Sequence, residues 1–430
     1  MRKSEHVCRS RASSGLVLLV TVASLAILPA RESSGQGDGL LTKDTRRLFP
    51  IGSYELPADD AALKVMAESG VNLVRCHNRA DLDRADAVGM MGWIPLSVHS
   101  GATDELRKLV ESVKDHPALA IWEGPDEIVW NFTAASQLHR ARDIHKSPGE
   151  WWRQTPQAVA YAEQQAQKIM PTIREGIQFV RSLDGRNRQF WFNEALKSDV
   201  KYVRQYLDYV DITGCDIYPV KKHDRRVARV GSATERWKQV GRGKPVWMVL
   251  QAFAWSELGD YYGEKIAAYP TFAESRFMAY DVIAHGAKGV LYWGSHYLKS
   301  AAFRESLYAL TSELAALQPF LVAPEETRVQ LAVIEMNGEK DEPAVRMTAR
   351  RTGKEWLIIL VNEDDRWHMG VEVAGLEDLN GQRLELLYDT ENVMVERGEF
   401  VTRMQPLGVK VFATSREWET SRRAGRDYRE

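Results

Sequence analysis

The stretch His116-Pro-Ala-Leu-Ala-Ile-Trp122-Glu-Gly-Pro-Asp126-Glu127 decides how the rest of this chain is read. A short apolar run, Ala118–Trp122, stops at a Gly-Pro turn, and two adjacent carboxylates follow. In a barrel of parallel strands, residues just past a strand's C-terminal end point into the active-site mouth. A carboxyl placed there beside indoles and partly desolvated holds its proton near neutral pH and can donate it to a leaving group. The same residues also suit a surface turn in which Asp126 and Glu127 cap the next helix, because acidic side chains favour a helix N-terminus. The surrounding sequence must choose between the two.

Working outward, short apolar runs alternate with helical patterns from Leu48 to about Phe320. The runs predict strands at Phe49–Tyr54, Leu73–His77, Trp93–Val98, Ala118–Trp122, Gln189–Asn193, Asp211–Ile217, Val246–Gln251 and Gly289–Trp293. Helical patterns fall between them at Ala61–Ser69, Leu106–Lys114, Pro156–Ser182, Ser232–Gln239, Phe272–His285 and Arg304–Leu317. Strands and helices in this order and number predict an α/β fold, a (β/α)8 TIM barrel spanning residues 38–322. A doubly wound open sheet would carry a Gly-rich nucleotide turn after an early strand, and no such motif occurs here. After Pro324 the pattern becomes short strands at regular spacing, with Asn-Gly at 337–338 and 380–381 as turns. This predicts a small antiparallel β-sandwich over 325–415. The charged tail, 416–430, is too poor in apolar residues to pack and is expected to be disordered.

The chain has 430 residues, 44% of them hydrophobic and 27% charged, which is ordinary for a globular protein. A net charge of -2 gives no electrostatic case for nucleic acid or an anionic membrane as partner. The 13 tryptophans are more telling, since indoles provide flat apolar platforms for ligand rings. At the N-terminus, Arg2, Lys3, Arg9 and Arg11 precede an apolar stretch, Gly15–Leu28, that breaks at Pro29-Ala30. That stretch is short for a spanning helix and suits a signal-peptide core. Residues 1–37 are therefore expected to be a signal peptide and short linker, giving a secreted or periplasmic protein with no integral membrane domain after cleavage. Of Cys8, Cys76 and Cys215, the first leaves with the signal, and the other two end apolar runs and read as buried thiols.

Each predicted strand from the second onward ends in polar or aromatic residues. The second gives Arg75, Cys76, His77 and Asn78, the third His99, and the fourth Trp122, Asp126 and Glu127. The fifth gives Trp191, Asn193 and Glu194, the sixth Asp216 and Tyr218, the seventh Gln251 and Trp255, and the eighth Trp293, His296 and Tyr297. The segment from Ile128 to Thr155 reads as a long connection carrying Trp130, His139, His145, Trp151 and Trp152, and suggests a lid or subsite wall. Carboxylates, amides and indoles on one rim suit a sugar, whose faces stack on indoles while its hydroxyls need acceptors and amides.

On these motifs the chain resembles barrel glycoside hydrolases that place an acid/base at strand four and a nucleophile at strand seven. His116-Pro-Ala-Leu…Trp122…Asp126-Glu127 resembles their fourth strand and Asp211-Ile-Thr-Gly-Cys-Asp216-Ile-Tyr218-Pro219 their sixth. Lys244-Pro-Val-Trp-Met-Val-Leu-Gln251 resembles the seventh and Gly286-Ala-Lys-Gly-Val-Leu-Tyr-Trp293 the eighth. The C-terminal sandwich is a common appendage of such enzymes. The resemblance implies a carbohydrate substrate, no cofactor, and Glu127 as general acid. Arg75, His77, His99, Trp122, Trp130, Trp191, Asn193, Tyr218, Gln251, Trp255 and Trp293 would line the substrate site.

The chain departs from that pattern where the resemblance implies a nucleophilic glutamate and Gln251 stands instead. An amide cannot form a glycosyl-enzyme ester. A water activated by Glu194, Asp216 or Glu257 could replace it. So could the substrate's own 2-acetamido group, oriented by Asp126. In a third case the barrel binds glycans without cutting them. A metal-dependent hydrolase using His77, His99, Asp126 and His296 is a weaker alternative, because the histidines lack ligand spacing.

Overall fold

The computed structural model describes residues 37–133, 148–259, 264–336 and 344–421. The expected signal segment, His139, His145, the Asn337-Gly338 turn and the end of the tail lie outside the described residues.

Eight parallel strands close into a barrel in chain order: Ile51–Ser53, Leu73–Arg75, Met91–Pro95, Leu119–Glu123, Phe190–Ala195, Ile212–Asp216, Val246–Gln251 and Gly289–Trp293, the last pairing with the first. All eight correspond to runs read from the sequence. Side chains alternate along each strand. One row points outward to the helices, as Trp122, Phe192, Cys215 and Met248 do; the other fills the barrel. The interior is built on indoles. Trp93, Trp191 and Trp247 meet with ring centroids 5.3–5.9 Å apart, and Tyr54 stands edge-on to Trp93 at 5.4 Å. Small residues make the room: a Cβ on Gly214 would lie 2.2 Å from the Trp247 carbonyl, and one on Gly289 would lie 2.7 Å from the Trp247 ring. A hairpin absent from the sequence reading, Leu41–Lys43 with Arg46–Leu48, supplies Leu41 and Leu48 to this interior cluster. Next to it, the Gly39 carbonyl accepts the Trp247 indole N–H at 2.8 Å.

Helices Arg79–Ala87 and Val200–Tyr206 were also not anticipated; both are short, and the first is too polar to show an apolar stripe. The segment read as one long connection contains two further short helices, Ile128–Thr133 and Pro148–Trp152. The following helix, Pro156–Leu183, lies against the loop after the third strand. A Cβ on its Gly176 would come within 2.5 Å of the Val98 carbonyl, and Thr172 donates to the His99 carbonyl at 2.7 Å.

The C-terminal part is a sandwich. Three strands, Gln330–Met336, Met369–Ala374 and Glu399–Met404, face five others, Val345–Thr352, Glu355–Asn362, Val409–Ala413, Arg383–Leu386 and Asn392–Met394. All pairings are antiparallel. Glu355–Asn362 is buried on both faces. Ile358 and Leu360 enter the sandwich core, whereas Leu357, Ile359 and Val361 join the outer cluster of the barrel. Arg276, on the barrel helix Phe272–Ala284, ties the parts together by bonding Glu313 at 2.8 Å and the Val409 carbonyl at 3.0 Å. Barrel and sandwich thus form one compact unit. Cys76 and Cys215 are buried free thiols. Among the described residues no helix is long and apolar enough to cross a membrane.

Candidate active site

The fourth strand runs one residue past Trp122, and that residue is Glu123. Alternation turns Ile121 and Glu123 inward and Trp122 outward. Glu123 is fully buried, accepts Arg75 Nε at 2.7 Å and Trp93 Nε1 at 3.0 Å, and is pushed by burial up to about 8 despite Arg75. The chain then turns at Gly124, where a Cβ would lie 1.8 Å from the Phe192 ring. Glu127 follows with a φ of 49°, a left-handed conformation costly for a residue with a Cβ. Its N–H donates to the Asn193 carbonyl at 3.0 Å, so the fifth strand holds it there.

The helix Ile128–Thr133 begins at once, and neither Asp126 nor Glu127 caps it with its carboxylate. Glu194, at the end of the fifth strand, accepts the Val129 and Trp130 N–H groups at 3.1 and 3.4 Å, together with Ser198 Oγ at 2.6 Å and Tyr206 OH at 3.0 Å. Burial raises Glu194 to about 7, but its oxygens are committed to these four donors. This arrangement leaves the Asp126 and Glu127 carboxylates available to the barrel mouth. Asp126 accepts Asn193 Nδ2 at 2.9 Å, and burial raises it above the ordinary carboxylate range, with Arg75 opposing.

Glu127 shares a hydrogen bond with Asp216 of the sixth strand. Burial and the charge of Asp216 lift Glu127 well above its ordinary value. Asp216 is itself raised by burial to about 7, and Tyr218 OH donates to it at 3.1 Å. Like charges in contact cannot both ionise cheaply, and the pair holds one proton near neutral pH. Tyr54 sits within the field of Asp126, Glu123 and Asp216, its buried hydroxyl making no hydrogen bond.

Two unlike walls flank these acids. On the side of strands two to four, a cavity of about 510 Å³ is lined by Arg75, Leu96, Ser97, His99, Gly124, Asp126, Phe132, Tyr161 and Gln165, among others. The Nδ1 of His99 is buried there without a partner, and burial lowers the imidazole's pKa, favouring the neutral ring. On the side of strands six to eight, Tyr218 stacks on Trp293 at 5.4 Å and 23°, with Phe253 and Trp255 set edge-on. Glu55 fixes the loop after the eighth strand by accepting Gly294 N, Ser295 N and Oγ, and His296 Nδ1.

The structure therefore brings together Glu127, Asp126, Asp216, Arg75, His99, Asn193, Tyr218, Trp255 and Trp293. Other residues named from the sequence stand elsewhere. Trp122 is not on the rim: it is fully buried in the outer layer, and its indole N–H donates to Asp184 at 2.9 Å. Trp191 is fully buried among the interior indoles, below the mouth. Gln251 occupies the seventh-strand position, but its oxygen accepts Val220 N at 2.9 Å and its amide donates to the Val220 and Phe253 carbonyls at 2.9 and 3.0 Å. It is a backbone clamp, 1% exposed. Trp130 pairs with Trp152 at 6.1 Å, with Lys197 over the Trp152 ring. His77 is exposed at the start of the helix capped by Asn78. Glu257 accepts Tyr269 OH and Lys299 N. His77, His99, Asp126 and His296 do not converge on a common point; among the described residues the one such set is Asp281, His285 and Glu363, away from the strand ends.

Sequence reasoning missed Tyr54, Glu55 and Glu123. The last was legible from alternation, because Glu123 shares the inward face of Ile121; Tyr54 directly follows the first strand, whose end was passed over.

No protein-family model matches the sequence, and no curated protein matches it. Solved structures do match in fold. A β-galactosidase from Bacillus circulans sp. alkalophilus aligns over 86% of this chain and 99% of its own, at a TM-score of 0.53 and 9% identity. An arabinofuranosidase aligns over 85% and 96%, at 0.50 and 10%. A β-galactosidase from the psychrophile Marinomonas ef1 is matched over 60% of its length at 0.42 and carries no weight. The fold is thus the barrel-and-sandwich fold of glycoside hydrolases, with no particular family assigned.

Proposed function

We propose that this protein hydrolyses a glycosidic bond in a polysaccharide or glycoconjugate, with Glu127 protonating the leaving oxygen. The observation that carries this reading is the buried, hydrogen-bonded pair of carboxyls, Glu127 and Asp216, in the mouth of the barrel. A carboxyl kept protonated near neutral pH is what general acid catalysis requires. The fold shared with a β-galactosidase and an arabinofuranosidase supports a sugar substrate by analogy. The aromatic wall of Tyr218 and Trp293 suits a pyranose face, and Arg75 and Asn193 suit its hydroxyls.

The second half of the reaction falls to the substrate. Gln251 is chemically inert and fully hydrogen-bonded. Asp216 is engaged by Glu127 through a side-chain hydrogen bond and by the Tyr218 hydroxyl, which ties it up rather than leaving it to attack the anomeric carbon. In this reading Asp126, adjacent to Glu127 and held by Asn193, orients a 2-acetamido group that attacks its own anomeric carbon. That attack expels the protonated aglycone, and water then opens the cyclic intermediate. Export by residues 1–37 fits an extracellular polymer; the intact mass of the protein recovered outside the cytoplasm tests it, and an uncleaved N-terminus would contradict it.

Incubation with a panel of 2-acetamido and 2-hydroxy glycosides, followed by proton NMR, tests this reading. It predicts cleavage of 2-acetamido substrates with retention at the anomeric carbon. Equal cleavage of 2-hydroxy substrates would refute substrate assistance. Tight glycan binding with no product after long digestion would leave a carbohydrate-binding protein, the reading Gln251 favours.

A further inference from the structure

Outside the barrel, two helices and the sandwich converge on a small buried cluster that the proposed chemistry does not use. Asp281 and His285 lie one turn apart at the C-terminal end of the helix Phe272–Ala284 and share a face. Glu363 reaches them from the turn after the sandwich strand Glu355–Asn362. His285 Nε2 lies 2.9 Å from Glu363 Oε1 and 3.6 Å from Asp281 Oδ1. These separations bracket about 3.3 Å, the edge of a tetrahedron with bonds near 2.0–2.1 Å.

Two further features point to a ligand at this place. Asp281 is fully buried, and neither of its oxygens makes a hydrogen bond; the Gly231 N–H leans toward it without closing one of normal geometry. A buried carboxylate with no donor is costly, and without a cation beside it burial raises Asp281 to about 8, so that it holds a proton instead. The opposite nitrogen of the imidazole, Nδ1, lies 3.0 Å from Glu235, the outer-carboxylate arrangement that fixes a metal-binding histidine's tautomer and ring plane. The helix Arg229–Val240 passes with a glycine at the closest point. A Cβ on Gly231 would lie 2.5 Å from His285 Nε2, 2.6 Å from Asp281 Oδ2 and 2.6 Å from Glu363 Oε1. The helix backbone thus passes directly over the three donor atoms, where only a glycine fits.

We propose that Asp281, His285 and Glu363 bind one divalent first-row cation, of which zinc is the best match, and that the ion locks the sandwich to the barrel. One imidazole with two carboxylates suits such an ion and not a calcium cage of oxygens alone. The outer charges are already matched in pairs, Lys238 with Glu235 at 3.0 Å and Arg346 with Glu363 at 3.0 Å, and the group facing Asp281 is the His285 ring at 3.6 Å.

The test is metal analysis and thermal unfolding of the purified protein, first stripped with chelator and then given zinc. The expected result is about one zinc per chain after gel filtration, a melting temperature raised by zinc and lowered by chelator, and a cobalt(II) visible band in the substituted protein. Asp281→Asn, almost unchanged in shape, should weaken binding by about 100-fold or more. Stoichiometry below about 0.1 with a melting temperature indifferent to zinc and chelator would overturn the proposal. So would an Asp281→Asn protein that retains zinc as wild type does; in either case the cluster is held by protons alone.

Discussion

The proton between Glu127 and Asp216 sets a sign that pH can read. Burial raises both groups, and the Asp216 charge raises Glu127 further. The working state has Asp216 ionised and Glu127 protonated. Activity should climb as Asp216 ionises near pH 7, then fall at higher pH as Glu127 loses its proton. Asp216→Asn removes the charge that holds that proton. The alkaline limb of kcat/KM should therefore move to lower pH by on the order of 1 unit; an unmoved limb would mean that Glu127 is not the titrating acid. The strained backbone at Glu127 belongs to the same scale. A left-handed glutamate is kept because the Asn193 carbonyl and the following helix fix it, which is a reason to look for function there.

Among the elements, the seventh strand tests whether the missing glutamate is a simple loss. Gln251 bonds the loop after the sixth strand through donors as well as an acceptor. Gln251→Glu replaces an amide facing two carbonyls with an oxygen. Equilibrium urea unfolding should show destabilisation by about 2 kcal/mol or more, with no gain in turnover. A stable, more active variant would instead mark a retaining enzyme one substitution from its usual mechanism. The eight barrel strands were legible because parallel strands buried on both faces read as apolar runs between helices. What those runs conceal is which face each residue takes. Trp122 passed for a rim residue, although alternation sends it outward and Glu123 inward. The role of Glu194 depends on a helix start brought beside it by the fold, and no local pattern announces that. The pairing of Glu127 with Asp216 across strands four and six is likewise a product of closure of the barrel.

In the molecule as a whole, one strand serves two cores. Ile358 faces the sandwich and its neighbour Ile359 the barrel helices, both fully buried. Truncation of either to alanine should cost about 2–5 kcal/mol. If the two parts unfold as one, both variants should lower the same single transition, whether followed by tryptophan fluorescence or by circular dichroism. Two separate transitions, each moved by one variant, would show that the parts unfold independently. The sandwich thereby steadies the barrel whose mouth holds the acids, and the account of that mouth rests on Glu127 as proton donor. The most direct measurement compares Glu127→Gln with wild type on two substrates of one sugar, a natural glycan and an aryl glycoside with a strongly acidic leaving group. The account predicts a loss on the order of 10²–10⁴ in kcat on the glycan and a far smaller loss on the aryl glycoside, whose departure needs no proton. Equal activity of variant and wild type on the glycan would contradict it.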